Sequence, residues 1–262
     1  MKSDRPLAVV TGASSGIGYE LAKQFATNGF DLIIAAEDAG LDLAEKELRS
    51  FGAGVEALQV DLRTEAGVED LYDLMRGRTV VAAALNAGVG AGGAFADNDL
   101  RDELSIVDLN VRSTVHLAKH VVQDMVARGE GRILFTSSIA STMPGAFQAV
   151  YNASKSFVQS FALALREELK DTGVTITSLM PGPTDTEFFE RADMEDTNVG
   201  SSDKDDPADV AKDGFEALMA GKERVVSASL STKMQGRFSR ALPDSAKAAM
   251  HRRMEEPGSG EE

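Results

Sequence analysis

The chain of 262 residues predicts an α/β domain, a doubly wound parallel sheet of about seven strands with helices on both faces. Short β-rich apolar runs alternate with longer amphipathic segments, the pattern of successive βαβ units. Runs such as V-V-A-A-A-L at Val80–Leu85 are apolar throughout, which suits strands covered on both faces. A glycine-rich turn, T-G-A-S-S-G-I-G at Thr11–Gly18, joins the first run to the first amphipathic segment.

In order, the apolar runs place strands at Leu7–Thr11 (L-A-V-V-T), Asp31–Ala36 (D-L-I-I-A-A), Val55–Asp61 and Val80–Asn86. Further strands fall at Arg132–Ser137, Thr175–Met180 and the short R-V-V-S of Arg224–Ser227. Amphipathic segments between them place helices at Gly16–Asn28, Leu41–Phe51, Glu65–Arg76, Leu104–Arg128, Tyr151–Thr172 and Pro207–Ala220. Two stretches break the pattern. Glu187–Asp206 is long and acidic and contains N-V-G-S-S-D, so it reads as a mobile loop over a substrate site rather than regular structure. The terminal P-G-S-G-E-E (257–262) reads as a frayed tail. One domain spans residues 1–262.

Composition narrows the function classes. Hydrophobic residues make up 43%, ample for a core. With 27 Lys and Arg against 42 Asp and Glu, the net charge of −15 argues against nucleic acid and anionic membranes as partners. There is no cysteine, hence no disulfide and no thiolate metal site. No leader pattern or membrane-length apolar run is evident, and a cytoplasmic location is expected. His116 and His120 have metal-ligand spacing, but no H-E-x-x-H surrounds them; no metal is expected.

The turn at Thr11–Gly18 suits a dinucleotide pyrophosphate. Gly12, Gly16 and Gly18 allow a tight turn and close approach of backbone to phosphate, and Ser14, Ser15 and Ile17 complete the loop at a helix N-terminus. Glu37 ends the second strand roughly 20 residues beyond the loop, where a ribose-binding acid is expected. A carboxylate there accepts from a 2′-hydroxyl and repels a 2′-phosphate, which favours NAD(H) and leaves NADP(H) open. The plainer alternative is that Glu37 and Asp38 are solvated strand-end residues.

A second set of residues suits proton transfer. A tyrosine with an ordinary pKa near ~10 is a poor acid or base at neutral pH. In Y-N-A-S-K, Tyr151 and Lys155 stand one helical turn apart, so the ammonium is expected to lower the phenol pKa. Ser138, at the end of the preceding strand, can fix a reacting oxygen against the tyrosine. Ser137 competes for that role.

These motifs, taken together, resemble the short-chain dehydrogenase/reductase family, in its branch of about 250-residue subunits. Beyond the two sets above, the resemblance rests on V-D-L at Val60–Leu62, N-A-G at Asn86–Gly88, L-N-V at Leu109–Val111, T-S-S at Thr136–Ser138 and P-G-P-T-D-T at Pro181–Thr186. It implies a Rossmann-type fold and an oxidoreductase that moves a hydride between nicotinamide and a carbonyl or secondary alcohol. Tyr151 would be its acid/base, Lys155 the pKa modulator and ribose ligand, and Ser138 the residue orienting the substrate oxygen. Asn110 would hold a water joining Lys155 to solvent. Asp61 and Leu62 would meet the adenine, while Asn86, Ala87 and Gly88 would border the ribose. Pro181, Gly182, Thr184 and Thr186 would contact the nicotinamide end. The chain departs from the family at the second strand: Glu37 stands where NADP-dependent members carry arginine, and Ala36 where NAD-dependent ones carry aspartate.

Substrate walls are expected from Val89–Phe95, Ile139–Gln148 and 187–206. Met143, Phe147, Phe188 and Phe189 give these an apolar character, suited to a small-molecule ketone or alcohol, with steroid, 3-oxoacyl, sugar-derived and xenobiotic ketones all open. S-F-V-Q-S-F-A-L-A-L at Ser156–Leu165 is apolar beyond one stripe, and family members commonly pair this helix and the preceding one across subunits; a homodimer or homotetramer is expected. The rival reading is a non-catalytic dinucleotide-binding sensor or interaction protein on the same fold.

Overall fold

The computed structural model describes residues 4–227 and 243–261. Seven parallel strands form one sheet: β1 (Leu7–Thr11), β2 (Asp31–Ala36), β3 (Val55–Gln59), β4 (Val80–Leu85), β5 (Gly131–Thr136), β6 (Val174–Pro181) and β7 (Arg224–Ser227). Their order is β3-β2-β1-β4-β5-β6-β7. The strands alternate their side chains between two cores. Leu7 and Val9 of β1, Ala83 and Leu85 of β4, and Ile133 and Phe135 of β5 pack on one face. Ala8 and Val10, Ala82 and Ala84, and Leu134 pack on the other. Covering both faces explains why these strands read as unbroken apolar runs.

Helices α1 (Gly16–Thr27), α2 (Leu41–Ser50) and α3 (Glu65–Met75) follow β1, β2 and β3 in turn. The chain works outward from β1 to β3, then crosses back to β4 on the other side of β1. The carboxyl ends of β1 and β4 therefore diverge, opening the crevice where doubly wound sheets bind ligands.

The expected helix Leu104–Arg128 is longer and interrupted. It begins as α4 (Leu100–Ile106), where the Asp99 carboxylate accepts from Arg101 N at 2.8 Å, and ends as α5 (Thr114–Arg128). Between them, Val107–Ser113 is a π-helical stretch. The wider turn holds Asn110, whose side chain is saturated by bonds outside its helix, a common reason for such turns at functional sites. Helix α6 (Ala149–Glu168) starts ahead of Tyr151.

Two sequence expectations are corrected here. The segment 187–206 is not irregular. It contains α7 (Phe188–Arg191) and α8 (Asn198–Ser201), and Phe189, Ala192, Met194 and Val199 bury together beneath it. Apolar residues widely spaced among acidic ones suffice for this small core. Nor is the terminus frayed through residue 261. Gly258 N donates to Asp196 Oδ2 and Gly260 N to Asp196 O, both at 2.8 Å, and Ser259 Oγ accepts from Asn198 N at 3.0 Å. After α9 (Pro207–Met219) and β7, a further helix that the apolar periodicity did not mark, α10 (Asp244–Glu255), packs against α8.

Candidate active site

A single cleft runs along the carboxyl ends of β1, β4, β5 and β6, and nearly every residue singled out in the sequence lines it. At its floor, Thr11 Oγ1 accepts from both Asn86 N and Ala87 N at 3.0 Å. Thr136 Oγ1 donates to Asn86 Oδ1 at 2.9 Å, so one asparagine ties three strand ends together. Gly12 (φ 66°) and Gly16 (φ 54°) adopt left-handed backbone that other residues rarely tolerate, and a Cβ on Gly12 would meet Ala87 Cα at 3.0 Å. Ser15 precedes α1 but does not cap it with its side chain, which leaves the first-turn N–H groups to an anion.

At the far end lie Glu37, Asp38, Asp61 and Leu62. Ser14 Oγ donates to Asp38 Oδ2 at 2.7 Å. Arg63, not anticipated from the sequence, bridges this group: Nε bonds Asp61 Oδ1 at 2.9 Å and Nη2 bonds Glu37. Partial burial pushes the Asp61 carboxyl up, but the hydrogen bonds and charge of Arg63 outweigh it and hold the carboxyl below its ordinary value. Glu37 is therefore an ion-paired residue rather than a free carboxylate.

At the other end, Ser138, Tyr151 and Lys155 meet. Ser138 stands beside Tyr151, where its hydroxyl favours the phenolate. Ser137 points elsewhere, donating to Lys155 O at 3.0 Å, so Ser138 is the serine beside the phenol. Lys155 is 6% exposed, its Nζ donating to Thr136 O at 3.1 Å and lying 5.8 Å from the Tyr151 ring centroid. The expected lowering of the tyrosine pKa is not what this geometry gives. Burial pushes the phenol up to about 12, the Ser138 hydroxyl works against that rise, and the Glu255 charge adds to it. Burial also pushes Lys155 down to about 8, so desolvation dominates both groups.

Asn110 lies below, its Nδ2 donating to Val89 O at 2.8 Å and Ser154 Oγ at 3.0 Å, its Oδ1 accepting from Val89 N at 2.9 Å. These bonds brace the Gly88 turn: a Cβ on Gly88 would meet both Asn110 Oδ1 and Lys155 Nζ at 3.1 Å. Gly182 N donates to Ser227 O at 2.9 Å, and Pro181, Gly182, Thr184 and Thr186 form the opposite lip.

Phe147 is a correction. It does not line the cleft: its backbone is left-handed (φ 63°) and its ring packs under the Arg252 guanidinium at 5.6 Å. Gln148 lines the cleft instead, as do Met143, Phe188 and Phe189, with the Phe188 ring 5.1 Å from that of Tyr151. Phe95 is 60% exposed and takes no part. The sequence reading also missed His251, Met254 and Glu255, which reach the cleft from α10. The run A-K-A-A-M-H-R-R-M-E signals a helix by propensity, but nothing in it signals what that helix covers. His116 and His120 lie away from the cleft against α3, both bonded to Glu69 Oε1, at 2.7 and 3.0 Å.

Residues 6–196 match the sequence profile of the short chain dehydrogenases. The chain belongs to that family. An uncharacterised short-chain type dehydrogenase/reductase of Sinorhizobium fredii is 34% identical, the match covering 71% of this chain and 73% of that protein. Among solved structures, a short-chain dehydrogenase from Sphingobium yanoikuyae in complex with NADPH superposes with a TM-score of 0.80 at 27% identity, covering 91% of this chain and 96% of that one. A short chain dehydrogenase/reductase from Burkholderia phymatum in complex with NAD gives 0.79 at 25%, covering 90% and 93%. Membership makes the protein an oxidoreductase of a family that acts on alcohol and ketone groups with a nicotinamide dinucleotide. No helix among the described residues is long and apolar enough to cross a membrane.

Proposed function

We propose that the protein is a nicotinamide-dependent ketone reductase or alcohol dehydrogenase in which Tyr151 exchanges the proton. The observation that carries this reading is the Ser138–Tyr151–Lys155 set, its lysine buried, at one end of a cleft whose other end is a glycine-rich loop. The cleft fits a dinucleotide: a Cβ at Gly12 or Gly88 would meet the surrounding wall, and Lys155 Nζ, with one carbonyl partner, has donors to spare for ribose hydroxyls. When bound, the cofactor supplies or accepts the hydride. The chain's own residues position and protonate. Ser138 Oγ and the Tyr151 hydroxyl offer two donors to one substrate oxygen. Because the phenol holds its proton to about pH 12, it enters a reduction charged with the proton it must give. Lys155, retaining most of its charge at neutral pH, steadies the phenolate left behind. Consumption of NADH or NADPH with a panel of apolar ketones tests this reading, and inertness toward every ketone and secondary alcohol would refute it.

NAD(H) is proposed as the preferred cofactor. Glu37, Asp38 and Asp61 gather at the ribose end against the single Arg63 cation, so a 2′-phosphate meets net repulsion even with Glu37 paired. Wild-type kcat/KM should favour NADH by ~10-fold or more. Glu37→Arg should move the ratio toward NADPH by ~10- to 100-fold, adding a phosphate partner as it removes a carboxylate. A wild-type preference for NADPH would remove the electrostatic argument.

A homodimer through α5 and α6 is also proposed. Phe157 is 40% exposed and stacks on Phe161 with ring centroids 5.8 Å apart. Val115 and Val126 of α5 are exposed as well. Phe161 itself packs edge-on against buried Phe135, so a charge there would injure the fold, whereas Phe157→Glu would not. That variant should weaken self-association at least ~10-fold by light scattering with an unchanged melting temperature. A wild-type protein monomeric at micromolar concentration would end the proposal.

A further inference from the structure

Helix α10 closes the substrate end of the cleft with one face, Met254 and Glu255 standing one turn beyond His251. The wall they join is apolar, formed by Ile139, Met143, Phe188 and Val199. Into this wall the chain sets a carboxylate. Glu255 is 6% exposed, its Oε2 has no hydrogen-bond partner, and burial pushes its carboxyl up to about 8. It lies close enough to Tyr151 for its charge to bear on the phenol.

Four neighbouring polar side chains are committed elsewhere. The His251 ring is held at both nitrogens: Nδ1 donates to Ala146 O at 3.0 Å, and Nε2 accepts from Asn152 Nδ2 at 3.0 Å. Burial lowers the pKa of His251, which agrees with a neutral ring in this tautomer. The neighbouring cations Arg191 and Arg252 pair with Glu187 and Glu256. Gln148 Nε2 lies 2.7 Å from Met194 Sδ. A buried acceptor without a partner is costly to the fold and is uncommon in native structures unless a ligand supplies the missing donor.

We propose that Glu255 is a substrate-recognition residue, accepting a hydrogen bond from a second donor group, hydroxyl or ammonium, on an apolar ketone or alcohol whose reacting carbon sits at Tyr151. The inference rests on the reductase reading for the position of the reacting carbon. It adds the substrate class: an otherwise apolar molecule with a second polar group besides the carbonyl. Neutral Glu255 at pH 7 suits a hydroxyl, and an ammonium would draw it into the ionised form.

The test uses 4-phenylbutan-2-one and its para-hydroxy and para-aminomethyl analogues as probes. Wild-type kcat/KM should favour at least one donor-bearing probe over the parent by ~10-fold. Glu255→Leu should erase that preference, bringing kcat/KM for the three probes within ~3-fold of one another. Glu255→Gln, which keeps an acceptor without the charge, should preserve a hydroxyl preference and abolish an ammonium preference. Removing an unpartnered buried acid should not lower the melting temperature, and the near-isosteric Gln variant guards against misfolding of the Leu variant. Equal use of all three probes by the wild type, or an undiminished preference in Glu255→Leu, overturns the proposal. If no probe is turned over, the wider ketone and alcohol panel decides the reductase reading separately, and calorimetric binding of the same three probes to wild type and Glu255→Leu still decides the role of Glu255.

Discussion

Tyr151→Phe is expected to lower turnover by at least ~100-fold while cofactor affinity stays within a few-fold of wild type. The substitution removes one oxygen from a half-buried side chain and keeps the ring, including its packing 5.1 Å from the Phe188 ring. Ser138 would remain held by Ala140 N, which donates to Ser138 Oγ at 3.1 Å, so the strand end should not move. Cofactor binding should survive because the phosphate loop and Lys155 lie on other elements or another turn. What disappears is the only phenol in the cleft and the proton it carries up to about pH 12. Ser138 cannot replace it, since a serine hydroxyl is a far weaker acid. Single-turnover measurements with saturating NADH separate the chemical step from binding. Turnover within ten-fold of wild type would take Tyr151 out of the mechanism.

The sheet was legible because its strands are covered on both faces, and burial on two sides leaves an unbroken apolar run such as Ile33, Ile34, Ala35 that no polar alternation obscures. Most of the proposed cofactor cleft was legible for a related reason. Close packing requires glycine at Gly12, Gly16 and Gly88, where a Cβ would meet Ala87, Thr186, and Asn110 with Lys155, and such positions are visible in sequence. Contacts set by distant packing were not. Arg63 reads as an ordinary charged residue until β2 and β3 lie side by side and bring Glu37 to it. Phe147 looked like a pocket residue, yet a left-handed backbone and the Arg252 guanidinium take it away. The π turn at Asn110 arises because its amide bonds Val89 and Ser154, on segments far apart in the chain. Glu255 is a helix-end glutamate by sequence, and only the fold-back of α10 buries it. The pKa expectation failed similarly: spacing placed Lys155 beside Tyr151, but spacing carries no information about desolvation, which governs both.

Gly18→Ala should abolish tight cofactor binding, and the reason is contact rather than backbone conformation. Gly18 lies within α1, where alanine is the better helix former by about 1 kcal/mol. The added methyl, however, would stand 1.9 Å from Gly12 O and 2.6 Å from Asn86 Nδ2. Neither neighbour can yield easily. Gly12 N donates to Ala35 O at 2.8 Å, which anchors the turn to β2, and Asn86 is tied to Thr11 and Thr136. The phosphate loop must therefore lift off the β4 end, displacing the N–H groups that are to meet the pyrophosphate. Overpacking of this kind costs about 1–3 kcal/mol, partly offset by the helix term, so the melting temperature should fall by only a few degrees. The dissociation constant for NADH should rise by ~100-fold, because the loss is concentrated at the phosphate contacts. Gly29→Ala provides the contrast: it imposes a side chain at φ 88° with nothing within 4 Å, a purely conformational penalty far from the cleft. It should lower the melting temperature comparably and leave NADH binding unchanged. Fluorescence titration of both variants against wild type reads the difference directly, and tight NADH binding by Gly18→Ala would mean that the glycine loop does not hold the cofactor.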